Sequence, residues 1–417
     1  MKSMKPEVFI SSPRIPATTL EFGIGEGDPL PFHKSIEAYQ PTPLYNLPTL
    51  AQRLGVGTVL VKDESLRLGL PSFKMLGASW ATVCSIEKNW IGSSAQPISI
   101  SKVKQDLGTR SDLSLAAATD GNHGRGVARM AKLLDLKCSI FVPAGTAQSR
   151  IDDIEAEGAT VTVVAGDYDD AILRSAKEQS ETTLVISDTS WEGYVETPAD
   201  VIRGYSTMFR EVDDQLEGKS FPDVVVFQSG VGSFAAAGLS HYKVERKGPT
   251  PLAVIVEPRD ANSLMRSAEL GKIVEVPGPH SSMMAGLNCG LPSMIAWPIV
   301  KYFADAYIAI GDEAAYLGMR LLADLGIVAG ESGAAGLGAF ASLEESQREQ
   351  LGLNSKSVVL FINTEGATDP VNFLAQVGKS PEEVMAKNKT KSKYSIRGLI
   401  NQLQLNRSAV MAKVLKQ

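Results

Sequence analysis

The sequence predicts an α/β fold made of two doubly wound lobes, each built on a mostly parallel sheet. One observation is that short apolar segments alternate with amphipathic helical segments, which is the pattern of βαβ units. Another is that this alternation stops over a polar helical passage, residues 198–217, and then starts again. Three predicted strands also end in turns of glycine and small polar residues. Because open α/β sheets bind ligands at the carboxyl ends of their strands, we expect a cleft between the lobes.

In the first half of the chain, short runs of valine, isoleucine, leucine and alanine alternate with helical segments. The predicted strands are 57–62, 113–119, 138–142, 160–164 and 183–187. The predicted helices are 72–88, with Ser72 as its cap, one that follows the turn 120–124 and ends at Leu134, 148–157 and 168–181. The first forty residues are irregular and predict neither helix nor strand.

In the second half the same alternation predicts a second sheet. Its strands are 223–228, 252–256, 308–310 and 358–363, and its helices are 233–243, 313–325 and one of small residues after Gly330. The tail from Ser380 is rich in lysine, and its residues 396–414 have helical spacing. We predict that the tail is a solvated surface helix or an arm that binds a partner.

The composition indicates a globular cytoplasmic enzyme. Hydrophobic residues make up 44% of the 417 residues and charged residues 21%, which argues against disorder. A formal net charge of -6 argues against a nucleic-acid-binding protein, whose surface is usually basic. Three cysteines are too few for a disulfide framework. No segment is typical of a signal peptide or of a membrane span, so we expect no membrane association.

Motifs of several other chemistries are missing from the chain. It has no His-Glu-x-x-His, no Cys-x-x-Cys, no Gly-x-x-x-x-Gly-Lys-Ser/Thr and no Gly-x-Ser-x-Gly. With four histidines in the whole chain, we expect no metal centre.

Lys74 is the first candidate for a reactive group. It lies beside Phe73 in the first turn of an apolar predicted helix, where the helix dipole and partial burial both disfavour the charged amine. A neutral amine is the form that attacks a carbonyl carbon. The alternative is an ordinary lysine whose stem is buried and whose ammonium reaches solvent.

The segment Gln228-Ser-Gly-Val-Gly-Ser-Phe234 joins a strand to a helix and is the candidate phosphate site. Free backbone N–H groups at such a turn can bind an anion, and glycine allows it to approach closely. The third glycine of a dinucleotide fingerprint is missing, since Ala235 stands there. A tight turn that packs the helix on the strand remains the alternative.

Polar residues follow two strands of the first half. Asp120, Asn122 and His123 lie in a glycine turn after one strand, and Asp188 follows another. Each acid alone is more often a helix cap than a catalyst. Two acids and a lysine at corresponding strand ends together favour a catalytic site.

Taken together, these segments resemble the fold type II pyridoxal-phosphate enzymes of the tryptophan synthase β superfamily, and among them the diaminopropionate ammonia-lyases. The strings that carry the resemblance are Phe73-Lys-Met-Leu-Gly77, Ala118-Thr-Asp-Gly-Asn-His-Gly-Arg-Gly-Val-Ala128, Asp188-Thr-Ser-Trp-Glu-Gly-Tyr194, Met284-Ala-Gly-Leu-Asn-Cys-Gly290, Gly330-Glu-Ser-Gly-Ala334 and Asn363-Thr-Glu-Gly366. Serine and threonine dehydratases look similar but carry Ser or Ala in place of Asp120. The resemblance extends over residues 41–369.

The resemblance implies a role for each matching residue. Lys74 would hold pyridoxal 5'-phosphate covalently and act as a base at the substrate Cα, Asp120 would be a second base on the opposite face, and Asp188 would bind the distal amino group. Asn122 would bond the ring hydroxyl and Thr364 the pyridine nitrogen. The remaining cofactor-binding residues would be Phe73, Gly230, Val231, Gly232 and Ser233.

The resemblance also implies an organisation and a reaction. Residues 1–85 and 207–380 would form a large cofactor-binding domain and residues 86–206 a small domain, whereas residues 381–417, a basic extension, have no counterpart in the family. A homodimer would eliminate ammonia from D- and L-2,3-diaminopropionate, a small amino acid, and release pyruvate and ammonia. The alternatives are a serine or threonine dehydratase, a β-replacement enzyme, and a silent binding protein that kept the fold.

Overall fold

The computed structural model describes residues 5–11, 24–92, 99–119, 121–218 and 221–386. The strands are β1 (Glu7–Ile10), β2 (Leu44–Asn46), β3 (Thr58–Asp63), β4 (Ser114–Ala118), β5 (Lys137–Pro143), β6 (Thr160–Val164), β7 (Thr183–Val185), β8 (Val224–Gln228), β9 (Leu252–Pro258), β10 (Ala306–Ile310) and β11 (Val358–Asn363).

Helices connect these strands and cover both sheets. They are α1 (Pro29–Ser35), α2 (Pro48–Leu54), α3 (Lys74–Ile86), α4 (Ile100–Leu107), α5 (Asn122–Leu133), α6 (Gln148–Glu155), α7 (Tyr168–Ala176), α8 (Glu196–Leu216), α9 (Ser233–Leu239), α10 (Ser263–Leu270), α11 (Ala296–Phe303), α12 (Asp312–Asp324), α13 (Glu331–Ala341), α14 (Glu345–Gln350) and α15 (Pro370–Val377).

Two separate sheets confirm the predicted pair of lobes. The larger sheet has the strand order β1-β10-β9-β8-β11-β3-β2, and the smaller has the order β6-β5-β4-β7. The smaller sheet is parallel throughout, whereas the larger is parallel except at its edges, where β1 and β2 run antiparallel to their neighbours. The parallel strands end in the same direction within each sheet, so the loops that follow them lie along one edge.

Helices bury both faces of the larger sheet. Successive strand residues point to opposite faces, so Val224 and Val226 pack into one hydrophobic cluster and Val225 and Phe227 into the other. The first cluster includes residues of α2, α12 and α13, and the second includes residues of α3, α8, α9 and α11. The strands are therefore continuous apolar runs, as is typical of a parallel sheet covered on both sides.

A buried ionic network holds the segment between β3 and α3. Lys62 on β3 donates to Glu211 on α8 at 2.7 Å, and Arg67 donates to both Glu64 and Glu211. Burial opposes ionisation of Glu211, but its bonds to Arg67 and Lys62 lower its pKa to about 2. The charges of the four side chains compensate one another. Their bonds to Glu211 attach the segment that leads to Lys74 to α8.

The structure differs from several predicted elements. The start of the chain is not wholly irregular, because β1 pairs with β10 and α1 packs on α3 and α8. The helix predicted at 168–181 ends at Ala176, and the one predicted at 233–243 becomes a wider π turn after Leu239. Ser72 accepts the backbone N–H of Lys74 at 3.3 Å, although Phe73 is the capping residue of α3.

Candidate active site

A cavity lies where the strand ends of the two sheets face each other. Its lining includes the loops after β7, β8 and β11 and the first turns of α3 and α5, and it encloses about 620 Å³ of empty space, part of it open to solvent. The lining residues are Ser72, Phe73, Lys74, Asn122, Tyr168, Asp188, Gln228, Ser229, Gly230, Val231, Gly232, Ser233, Phe234, Gly286, Leu287, Cys289, Ser332, Thr364 and Glu365.

Lys74 and Asp188 form an ion pair in this cavity. Lys74 Nζ donates to Asp188 Oδ2 at 2.5 Å, and the side chains are 17% and 4% exposed. Tyr168, the first residue of α7, donates its hydroxyl to Asp188 Oδ1 at 3.0 Å. Both carboxylate oxygens of Asp188 are therefore occupied by donors from different segments.

The surroundings of Asp188 keep its carboxylate ionised. Burial alone would raise its pKa, but the charge of Lys74, the proximity of His123 and the hydrogen bonds from Lys74 and Tyr168 together lower the pKa well below the usual range. An ionised, buried carboxylate can bind an ammonium group. The sequence alone could not establish that Asp188 is both buried and ionised.

The turn after β8 forms one wall of the cavity. Gly232 has φ +101, a conformation that favours glycine, and a Cβ on Gly230 would lie 2.8 Å from Cys289 Sγ. The hydroxyl of Ser229 is buried and has no hydrogen-bond partner among the described residues. Ser233 Oγ donates to the backbone oxygen of Asp188 at 2.8 Å, which attaches this wall to the loop after β7. Such a turn can hold a phosphate group.

The loop after β11 forms a neighbouring wall, because β11 pairs with β8. Asn122 Nδ2 at the start of α5 donates to Glu365 Oε2 at 2.5 Å, and Ser332 N donates to Glu365 Oε1 at 3.1 Å. Thr364 Oγ1 accepts a bond from Gln228 Nε2 at 3.1 Å. Phe73 packs its ring against Phe234 of the first wall, with centroids 5.0 Å apart.

Nine of the ten predicted site residues line this cavity. They are Phe73, Lys74, Asn122, Asp188, Gly230, Val231, Gly232, Ser233 and Thr364. Asp120 lies outside the described residues. Gln228 and Ser229, which belong to the predicted phosphate segment, also line the cavity, whereas sequence reasoning gave no role to Tyr168, Cys289, Ser332 and Glu365. For Glu365 the strand-end rule offered a signal of position, whereas nothing in the sequence marked Tyr168.

Within the described ranges, no three His, Cys, Asp or Glu side chains are arranged to hold a metal ion. The described helices include none that is both long and apolar enough to cross a membrane. Cys84, Cys138 and Cys289 form no disulfide bond.

Comparison with known proteins places the chain in a family. The family described as pyridoxal-phosphate dependent enzyme matches residues 36–365. The chain is 40% identical over 356 residues to diaminopropionate ammonia-lyase of Escherichia coli K12, covering 82% of this chain and 88% of the relative. It is 37% identical over 365 residues to diaminopropionate ammonia-lyase of Salmonella typhimurium LT2, covering 82% and 89%.

Solved structures agree with this placement. The crystal structure of the Escherichia coli diaminopropionate ammonia lyase in complex with D-serine superposes with a TM-score of 0.79 at 35% identity, covering 90% of this chain and 97% of that one. Threonine deaminase isoform 2 from Solanum lycopersicum, at 20% identity and a TM-score of 0.67, shares the fold. The chain belongs to the pyridoxal-phosphate dependent enzymes of fold type II, in the branch that contains the diaminopropionate ammonia-lyases.

Proposed function

We propose that this enzyme catalyses the α,β-elimination of D- and L-2,3-diaminopropionate to pyruvate and ammonia. The observation that carries the proposal is the buried Asp188 carboxylate beside Lys74, because it offers a binding site for a second amino group within reach of the reactive lysine. The names of the relatives at 40% and 37% identity support the same substrate.

The residues of the cavity fit pyridoxal phosphate. The buried hydroxyl of Ser229 and the backbone at Gly230 and Gly232 suit the phosphate, and Lys74 points into the same space. Asn122 and Thr364 offer polar groups for the ring oxygen and nitrogen. When bound, the cofactor supplies an electron sink for the carbanion left at the substrate Cα.

The chain's own residues move the protons. Lys74 Nζ takes the Cα proton of one stereoisomer, and Asp120, assigned from the family resemblance, takes that of the other from the opposite face. Asp188 binds the distal ammonium and, with Tyr168, holds it as ammonia departs. Water then hydrolyses the released enamine to pyruvate and the second ammonia.

An absorbance spectrum of the purified enzyme tests the cofactor assignment. We expect a band at about 410 to 420 nm that borohydride abolishes while fixing the cofactor on Lys74. Lys74→Ala removes the band, whereas Lys88→Ala, at an exposed lysine just beyond the same helix, keeps it. Absence of the band with added cofactor would favour a silent binding protein.

Pyruvate release tests the substrate. Steady-state assays with D- and L-diaminopropionate, D- and L-serine and threonine, each at several concentrations, give kcat/KM for every compound. We expect diaminopropionate of both configurations to be the best substrate. A higher kcat/KM for serine would replace this proposal with a dehydratase.

We extend the proposal to the organisation of the protein. A homodimer and a cytoplasmic location follow from the family resemblance, and size-exclusion chromatography with light scattering tests the dimer. The smaller sheet, formed by residues between Ser114 and Val185, supports a small domain at 86–206 within a large domain at 1–85 and 207–380. Limited proteolysis near both boundaries tests this division.

A further inference from the structure

Glu365 links the starts of two helices that approach the cavity from different sides. Its Oε1 accepts the backbone N–H of Ser332 at 3.1 Å, in the first turn of α13, and its Oε2 accepts Nδ2 of Asn122 at 2.5 Å, at the first residue of α5. The side chain is 2% exposed, so water does not substitute for either partner. No role for Glu365 follows from the function proposed above.

The backbone of Glu365 is fixed as firmly as its carboxylate. Gly330 N donates to Glu365 O at 3.0 Å, and an antiparallel bridge joins Glu365 to Ser72, two residues before Lys74. Because the backbone and one carboxylate oxygen are both held, the direction of the second oxygen toward Asn122 is fixed as well.

This arrangement decides which way the amide of Asn122 faces. A carboxylate only accepts hydrogen bonds, so the nitrogen of the Asn122 amide, not its oxygen, must face Glu365. The amide nitrogen carries two N–H groups, and the second remains to donate elsewhere. Asn122 lines the cavity, where that donor suits an oxygen of a bound ring.

We propose that Glu365 is a positioning residue that orients the Asn122 amide so that it donates a hydrogen bond to the ring oxygen of the cofactor. The proposal rests on the cofactor-binding role given to Asn122 above. Glu365 acts through Asn122, and its partner Ser332 holds it in place.

The substitution Glu365→Gln reverses the arrangement with little change of shape. The N–H of Ser332 still requires an acceptor, so the new amide keeps its oxygen there and turns its NH₂ toward Asn122. Asn122 then presents its oxygen to Gln and loses the donor that faces the ring. We expect the dissociation constant of pyridoxal phosphate, measured by fluorescence titration of the apoenzyme, to rise about tenfold or more.

A double-mutant cycle separates positioning from a structural role. If Glu365 acts through Asn122, Glu365→Gln weakens cofactor binding less than about twofold in an Asn122→Ala background. An equal loss in both backgrounds, or no loss in the single variant, overturns the proposal. Glu257→Gln is the matched control for stability, because Glu257 is also a buried carboxyl that accepts two backbone N–H groups, those of Leu264 and Met265.

The two proposals fail in different ways. If wild-type apoenzyme binds no cofactor, the proposed function falls and takes this inference with it. If wild type binds and Asn122→Ala weakens binding while Glu365→Gln does not, the function stands and the positioning role of Glu365 is wrong.

Discussion

Asp188 Oδ2 lies 2.5 Å from Lys74 Nζ, although the two residues are 114 positions apart and follow strands of different sheets. The packing of the two lobes therefore brings an acid to the lysine that lines the cavity. In the proposed reaction the amine of Lys74 binds the cofactor, so the Asp188 carboxylate loses its ammonium partner, and a substrate with a second amino group can supply another.

Asp188→Asn tests that exchange. The amide cannot form a charged pair with the distal ammonium, so we expect kcat/KM for diaminopropionate to fall about 10- to 100-fold. Activity with serine, which has no second amino group, falls less. Steady-state kinetics with both substrates measure the difference, and the absorbance band serves as a check that the cofactor is still bound. Equal losses for the two substrates would contradict the role of Asp188.

Tyr168→Phe tests the donor on the other oxygen of Asp188. We expect a smaller loss, about 3- to 10-fold in kcat/KM for diaminopropionate, because one hydrogen bond is lost while His123 and the distal ammonium of the substrate still favour the ionised carboxylate. For the same reason the pKa of Asp188 stays below its usual range in the variant, and kcat/KM above about pH 5 depends on pH as it does in the wild type. If kcat/KM of the variant instead fell off near neutral pH, Tyr168 would be the main group that keeps Asp188 ionised.

Gly230→Ala tests the wall after β8. The new Cβ would lie 2.8 Å from Cys289 Sγ and 3.2 Å from Gly286 O, so the turn must shift. We expect the affinity for pyridoxal phosphate to fall about 10-fold or more. Adding Cys289→Ala removes the closer contact and should recover part of the affinity. No recovery would locate the effect in the backbone of the turn.

Buried acids predict how the stability changes with pH. Burial raises the pKa of Glu257 to about 8, and burial together with the charge of Glu365 raises that of Glu331 to about 7. At pH 6 the folded state keeps these protons and the unfolded state loses them, so the free energy of unfolding falls as the pH rises toward 8. Glu211, whose pKa is lowered to about 2, changes stability only at acid pH.

Urea unfolding at pH 6 and pH 8 measures this slope. We expect Glu257→Gln to flatten it, because the variant has no proton to lose at that position. The cost of the substitution itself is similar at both pH values and does not affect the comparison. A slope that is the same in wild type and variant would show that Glu257 does not titrate in this range.

The local sequence pattern predicts a strand correctly where the tertiary contacts favour the same structure. Strands Thr160–Val164 and Val358–Asn363 have the predicted bounds, because each is a β-branched or apolar run between turn residues. The strand β1 was missed because its four residues have no clear period and are fixed by pairing with β10, some 300 positions away. Tertiary pairing decides such segments.

The residues of the site likewise divide into those that the sequence predicts and those that depend on tertiary packing. The strand-end rule located Lys74, Asp188 and the turn at Gly230, since parallel strands bring their following loops to one edge. Tyr168 could not be found, because its place depends on how α7 packs in the smaller lobe. The role of Glu365 has no sequence signal of its own, because its carboxylate is positioned by a contact with Asn122, 243 positions away.

The order of strands in the larger sheet has a consequence for biosynthesis. Strand β11 lies between β8 and β3, so the middle of that sheet is completed by residues 358–363, which are synthesised after all the other described strands. The four strands of the smaller sheet are consecutive in the chain and can pair earlier, because their contacts are more local. Since Thr364 and Glu365 follow β11 directly, a nascent chain cannot assemble the cofactor cavity until all the described strands have been translated, and a product truncated before β11 would have β8 and β3 unjoined, with exposed apolar edges.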